Sequence, residues 1–329
     1  MENQINQVSD TAIMAAAYRA METNHQNAIF HDPLAAKLAG ERGKKIIDSL
    51  PKQAFIGGWS VVIRTRIIDD FIRGAIDEGV DTILNLGSGL DTRPYRMELP
   101  GLLRWIEVDY PHVIEQKENC LSVETPHCRL ERVKLDLADV DARRALLDEV
   151  AAQSKKILVL TEAVTPYLSA DAVASLGMDL RSNESIEYWL VDYFSPASYE
   201  YRRRSGMSKS MENAPFLFEP EDYFGFFFRI GWKSKETRYF ATEAERLRRP
   251  APLPLVTRFV MRILGFFASP ERRREMKQYA GFVLFEPVNT KERVAMRDRD
   301  AQRVHTADAK TGAADAKRYI SKAKKTWAS

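Results

Sequence analysis

From about residue 60 onward, short runs rich in β-branched and aromatic residues alternate with longer amphipathic stretches. A chain patterned this way buries both kinds of apolar face by laying helices on the two sides of a mostly parallel sheet. The strand-like runs are Asp81 to Leu86, Leu103 to Val108, Leu130 to Leu135, Ile157 to Thr161, Ile186 to Asp192, roughly Lys235 to Phe240, and Tyr279 to Glu286. They predict a doubly wound α/β sheet of seven strands. Between them, Ser60 to Glu78 returns Val61, Ile67, Ile68, Phe71, Ile72 and Ala75 at helical spacing. Pro111 to Asn119, Asp141 to Gln153 and Ala170 to Arg181 read as further helices, the last capped by Ser169 or Asp171.

Two stretches exceed this alternation: residues 10 to 50, helical in pattern, and residues 195 to 278, rich in aromatics and arginine. Ligands of open α/β sheets lie outside the carboxyl ends of the strands, where added segments can close over them. The expected layout is an N-terminal helical lid over 1–58, a cofactor-binding core over 59–194 and a substrate cap over 195–278. The last core strand follows over 279–289, and a charged flexible tail over 290–329.

The stretch Ile83 to Tyr95 runs from an apolar strand into Gly87-Ser88-Gly89 and a helix start near Asp91. Glycines there permit a tight turn and a close ligand approach, although the tripeptide alone reads equally well as a plain turn. Acids at three successive strand ends add what it lacks. Asp109 ends the second strand, about 20 residues beyond the glycines, where a carboxylate accepts both hydroxyls of a ribose. Asp136 ends the third, placed to take a purine amino group, with Leu137 packing or hydrogen-bonding through its backbone; Glu162 ends the fourth. Any one of them reads as a surface residue or helix cap, but together they describe a nucleoside pocket. A dinucleotide site wants a small residue where Thr92 stands, and a carboxylate at Asp91 repels a pyrophosphate. S-adenosylmethionine, a sulfonium with no phosphate, is expected in preference to a nicotinamide.

The motifs N-L-G-S-G-L-D-T-R, E-V-D-Y-P, L-D-L and T-E-A-V-T-P-Y-L, in that order, resemble those of the leucine carboxyl methyltransferase family. Its bacterial small-molecule branch includes polyketide O-methyltransferases. Thr11 to Asp32 resembles the family's N-terminal segment, and Arg64-Thr65-Arg66 with Asp69-Asp70-Phe71 its arginine-bearing helix, so the resemblance covers roughly residues 10 to 286. It implies a class I, Rossmann-like methyltransferase fold with S-adenosylmethionine as cofactor. It further implies that Arg64 meets the carboxylate of the cofactor's methionine end, that Gly87, in one turn with Gly89, lies along that end, and that Glu162 contacts its amino group. Asp109 then holds the ribose, and Asp136 and Leu137 the adenine. Arg66 is the rival of Arg64, since two positions on a helix face different ways. Where the family has E-G, this chain has Glu162-Ala163.

Methyl transfer from a sulfonium is an in-line displacement that rewards positioning in a dry site. A carboxylate acceptor needs no base, whereas a hydroxyl does; with only five histidines, carboxyl methylation is expected first and hydroxyl methylation second. No catalytic residue is assigned. Tyr18, Arg19, Tyr95 and Tyr167 are candidates for an acceptor pocket, with Leu168 beside Tyr167, and the aromatics from Phe216 to Trp232 are read as core that also shapes a pocket. The expected acceptor is a small molecule, with a protein carboxyl terminus as the other possibility. Residues 290 to 329 hold eleven Lys and Arg against five Asp and Glu, leaving the preceding 289 residues at −3, which argues against nucleic acid. The two cysteines, Cys120 and Cys128, have no partners at ligand spacing, so no metal is expected. No secretory signal or apolar span is visible, and the cytoplasm is the expected location. Pro254 to Arg274 pairs an apolar face with arginines, read as a cap helix ahead of a membrane-surface contact. The competing functions are a nicotinamide-dependent oxidoreductase and a non-catalytic cofactor-binding protein.

Overall fold

The computed structural model describes residues 8–49, 55–204, 215–254, 257, 259, 263 and 267–289. The tail over 290–329 and nine residues of the amphipathic stretch 254–274 lie outside these residues. Seven strands form one sheet: β1 (Thr82–Leu86), β2 (Arg104–Asp109), β3 (Arg129–Lys134), β4 (Ile157–Thr161), β5 (Ile186–Phe194), β6 (Trp232–Tyr239) and β7 (Ala280–Pro287). Their order is β3-β2-β1-β4-β5-β7-β6. The first five are parallel neighbours, while β7 runs antiparallel to both β5 and β6. This is the expected doubly wound α/β fold.

Strand alternation divides the core between two faces. Leu84 and Leu86 of β1, Ile157 and Val159 of β4, and Trp189 and Val191 of β5 turn to one side. There they meet α6 (Val140–Ala152), α7 (Ala170–Arg181) and α9 (Tyr223–Arg229). Ile83, Leu158, Leu160, Tyr188 and Leu190 turn to the other, against α3 (Phe55–Asp77) and α10 (Phe240–Arg246). Ser169 caps α7, its hydroxyl accepting the Ala172 N–H at 3.2 Å. Phe218, Tyr223, Phe227 and Trp232 are buried in the first face, so half of the eight aromatics from Phe216 to Trp232 are core. Helices α1 (Val8–Thr23) and α2 (Ala35–Ser49) pack with Leu90, Tyr95 and Leu121, the last from α5 (Pro111–Leu121). α8 (Pro196–Arg204) follows β5, and α11 (Pro270–Lys277) leads into β7.

Two elements depart from the sequence expectation. The helix after the glycine turn is a single turn, α4 (Arg93–Arg96), with Pro94 at its start and Met97 extended at its end. β6 starts at Trp232 rather than Lys235 because a register shift between Ser234 and Glu236 breaks its alternation. At the β6–β7 pairing, a Cβ on Gly281 would strike the Arg238 carbonyl oxygen, and that backbone cannot withdraw without unpairing the strands. Gly281→Ala is therefore expected to cost about 1–3 kcal/mol, read as a lower urea midpoint at unchanged m-value.

Candidate cofactor site

Because β2, β1, β4 and β5 are parallel neighbours, their carboxyl ends open on one rim. β1 leads into the turn Gly87-Ser88-Gly89. Gly87 stands at φ 70°, in the left-handed region, and a Cβ there would collide with Val164. The Gly87 and Ser88 N–H groups both donate to the Val108 carbonyl, at 2.8 and 3.1 Å, and the Gly89 N–H donates to Asp109 Oδ2 at 2.6 Å. Asp109 Oδ1 accepts the Tyr110 N–H at 2.7 Å. Its carboxylate is thus oriented by the backbone and keeps lone pairs for two hydroxyls.

At the next strand end outward, Asp136 is exposed and accepts the Ala138 N–H at 2.9 Å. The Tyr110 phenol hydrogen-bonds to Asp136, and burial, then the charges of Asp136 and Asp109, raise its pKa. Leu137 packs against the core, and its carbonyl accepts from Arg143 Nη1 at 2.7 Å. Tyr110 and Asp136 thus form a polar corner that the sequence motif showed only in part.

Glu162 lies just past β4. Its Oε2 accepts from Arg93 Nη1 at 2.9 Å, and its Oε1 is 2.8 Å from Arg64 Nε. α3 therefore aims Arg64 at the rim, while Arg66 turns to Asp70 at 3.0 Å and the Ile29 carbonyl at 3.3 Å. Burial would raise the Glu162 carboxyl, but Arg93 and Arg64 outweigh it and hold it below its ordinary value. The Arg64 Nε is buried in ion contact but without an aligned hydrogen bond, and the Ser88 and Thr165 hydroxyls are also buried and unpartnered. A guanidinium and a carboxylate beside unsatisfied hydroxyls suit a zwitterionic amino acid, and the acids along the rim suit the nucleoside attached to it. These residues fit S-adenosylmethionine.

Behind the rim lies a chain of buried charges. Arg93 donates to Asp69 Oδ1 at 2.8 Å and Asp91 Oδ2 at 2.9 Å as well as to Glu162. Arg96 holds both oxygens of Asp69 at 2.7 Å. Asp32 takes Arg19 Nε at 2.8 Å and the Thr92 hydroxyl at 2.6 Å, and Arg19 Nη2 donates to the Leu90 carbonyl at 2.6 Å. Asp91 thus faces inward, paired with Arg93 and Asn85, and its charge is not presented to a ligand. What separates this pocket from a dinucleotide site is the Arg64–Glu162 pair and the strand order.

Of the candidate acceptor residues, the structure brings Tyr167 to this site, near Arg64 and edge-on to Phe216 at 5.2 Å. Arg19 pins the glycine turn. Tyr18 is buried with its ring against Gly58, and the Tyr95 hydroxyl accepts from Arg132 Nη2 at 2.6 Å. Sequence reading missed Asp192 on β5, whose Oδ2 accepts the Ala163 N–H at 2.7 Å. Its signal was an acid set in the otherwise apolar run Trp189 to Phe194. Among the described residues, no group of His, Cys, Asp and Glu is arranged to hold a metal, and no helix is long and apolar enough to cross a membrane.

The all-parallel order of dinucleotide-binding folds is 3-2-1-4-5-6. Here β7 is inserted in reverse between β5 and β6, beside a glycine turn and strand-end acids, which defines a class I S-adenosylmethionine-dependent methyltransferase. Residues 12–179 match the family described as leucine carboxyl methyltransferase, and the chain belongs to it. A Frankia alni protein, provisionally named an S-adenosyl-L-methionine-dependent methyltransferase, is 30% identical over 258 residues, 74% of this chain and 88% of that protein. A Streptomyces avermitilis protein of the same provisional name is 34% identical over 179 residues, covering 50% and 62%. A solved structure from Thermobifida fusca, provisionally described as a methyltransferase, is 15% identical with a TM-score of 0.49 over 84% of this chain and 94% of that one.

Two expectations test this geometry. Arg93→Ala leaves three carboxylates without their shared cation and is expected to cost about 3–5 kcal/mol in chemical denaturation. Ala163, where the family has glycine, stands at φ 55°. Ala163→Gly is expected to stabilise the fold by about 1 kcal/mol, seen as a higher melting temperature.

Proposed function

We propose that this methyltransferase acts on an oxygen of a small molecule, with a carboxylate as the first acceptor class. The observation that carries the reading is the meeting of Arg64 and Glu162 beside the glycine turn and Asp109. In this reading Arg64 holds the cofactor's carboxylate, Glu162 its ammonium, Gly87 and Gly89 the chain between, and Asp109 the ribose hydroxyls. Asp136 and Leu137, with Tyr110, hold the adenine. Bound S-adenosylmethionine supplies an electrophilic methyl group whose S–C electron pair stays on sulfur as the methyl leaves.

The family's description names a carboxyl group, and three of the histidines are engaged elsewhere, in agreement with it. His112 stacks on Tyr110 at 5.8 Å, His127 is bonded to the Met97 carbonyl at 2.7 Å, and His25 lies against Arg249. A carboxylate needs no proton removed, so Tyr167 and Phe216 need only shape and dry the acceptor's place. A hydroxyl acceptor is the second reading, favoured by the buried acid Asp192 near the same rim.

Calorimetric titration with S-adenosylmethionine is expected to show binding that Asp109→Ala weakens about 10- to 100-fold. Turnover of labelled cofactor against a panel of carboxylic acids and phenols then separates the acceptors. A methyl ester is lost in mild alkali and a methyl ether is not, so alkali-stable label would overturn the carboxylate reading.

A further inference from the structure

The guanidinium of Arg202 on α8 lies over the face of Phe216, 3.2 Å from the ring centroid. The phenols of Tyr167, Tyr199 and Tyr279 stand around it, and the acid that faces it, Glu219, is paired with Arg203. Arg93, Arg96 and Arg132 are set differently. Burial would lower their pKa, but the carboxylates beside them outweigh it and raise it. At Arg202 burial wins and the pKa falls. A guanidinium keeps its proton in either setting, so Arg202 is a cation drawn out of water chiefly onto aromatic faces.

Backbone bonds fix where this cation stands relative to the cofactor site. The Leu217 N–H donates to the Pro166 carbonyl at 2.8 Å, which lays the segment carrying Phe216 on the turn after β4. Phe216 thereby meets Tyr167 edge-on at 5.2 Å and Phe194, at the end of β5, at 5.4 Å. Tyr167 borders Arg64 and is hydrogen-bonded to Thr11 of α1. Contacts therefore run outward from the proposed methionine end through Arg64, Tyr167 and Phe216 to Arg202. The charge stands one aromatic ring beyond Tyr167.

We propose that Arg202 determines acceptor specificity by binding a carboxylate of the acceptor other than its reacting oxygen, so that the preferred acceptors are flat acids with a polar group at each end. One end lies at the cofactor's methyl group, the other at Arg202, and the flat middle lies along Tyr167 and Phe216. A guanidinium stacked on a ring still offers its planar fork of donors to a carboxylate. That pairing is stronger where water is partly excluded. It is made alike before and after methyl transfer, so it lowers KM and leaves kcat unchanged. The inference rests on placing the acceptor at Tyr167 and Phe216, and it holds for a carboxylate or a hydroxyl as the reacting oxygen.

The test is calorimetry on the full chain saturated with S-adenosylhomocysteine, which fills the cofactor site without turnover. Benzoate is titrated against the isomeric benzenedicarboxylates and a naphthalenedicarboxylate. Wild type is expected to bind at least one dicarboxylate about 10-fold or more tighter than benzoate. Arg202→Met still covers the Phe216 face, and it is expected to erase that advantage while changing benzoate affinity by less than about 3-fold. Arg202→Lys keeps the charge without the fork and should retain part of the advantage. An equal loss for benzoate and dicarboxylate in Arg202→Met, or no dicarboxylate preferred by wild type, sinks the proposal. If Phe216→Leu leaves the affinity of every acid unchanged, the acceptor's place at Tyr167 fails and takes the proposal with it. The alkali stability of transferred label reports on the reacting oxygen alone, so that reading can fail while this one holds.

Discussion

One guanidinium ties the site to the fold. Arg93 is all but inaccessible and is shared by Asp69 from α3, Asp91 from the glycine turn and Glu162 from the end of β4. A buried cation is tolerable only if carboxylates surround it, and each of these acids is in turn balanced in part by the cation, with Arg96 sharing Asp69 and Arg64 sharing Glu162. The arrangement fixes the spacing between three segments far apart in sequence, and that spacing defines the pocket. Arg96 and Asp32 extend the same logic to the N-terminal helices. The rim is therefore rigid for electrostatic reasons and not merely because helices pack nearby.

A second consequence is that the rim acids are oriented by backbone. Asp109 is held by two N–H groups and Asp192 by one, so neither relies on a flexible partner to point the right way. Arg64 differs: its partner Glu162 already has Arg93, which leaves Arg64 the more weakly committed member of the pair. In the proposed placement of the cofactor, fixed acids and one adaptable cation would take a zwitterion without reorganising the walls.

The fold was legible because its signals are periodic. Alternation within β1 and β4 and helical spacing within α3 record which face each residue buries, and burial dominates the stability of such elements. The strand-end acids were legible because Asp109, Asp136 and Glu162 each follow an apolar run. Asp192 was passed over although it closes the run Ile186 to Asp192 read as the fifth strand, because no motif marks it and β5 continues past it to Phe194. Nor could the sequence say that Asp91 turns inward, because its partners Asn85 and Arg93 flank it with no fixed spacing rule. Choosing Arg64 over Arg66 required knowing which side of α3 faces the sheet, and both sides of that helix carry charge. Arg19 lies in the matched N-terminal segment and Tyr95 just past the glycine motif, yet neither position records that one grips Leu90 and the other meets Arg132.

The grip of Arg19 on the Leu90 carbonyl spans 71 residues. On the ribosome, α1 and α2 emerge before β1 and can pair with each other at once, but the turn they rest on does not yet exist. Nor do β1 to β4, which place that turn. A helical pair made before the sheet is thus among the last elements to find its seat, and until it does its apolar side must wait uncovered. Synthesis of this enzyme consequently passes through a stage in which its N-terminal helices are finished but have nowhere to dock.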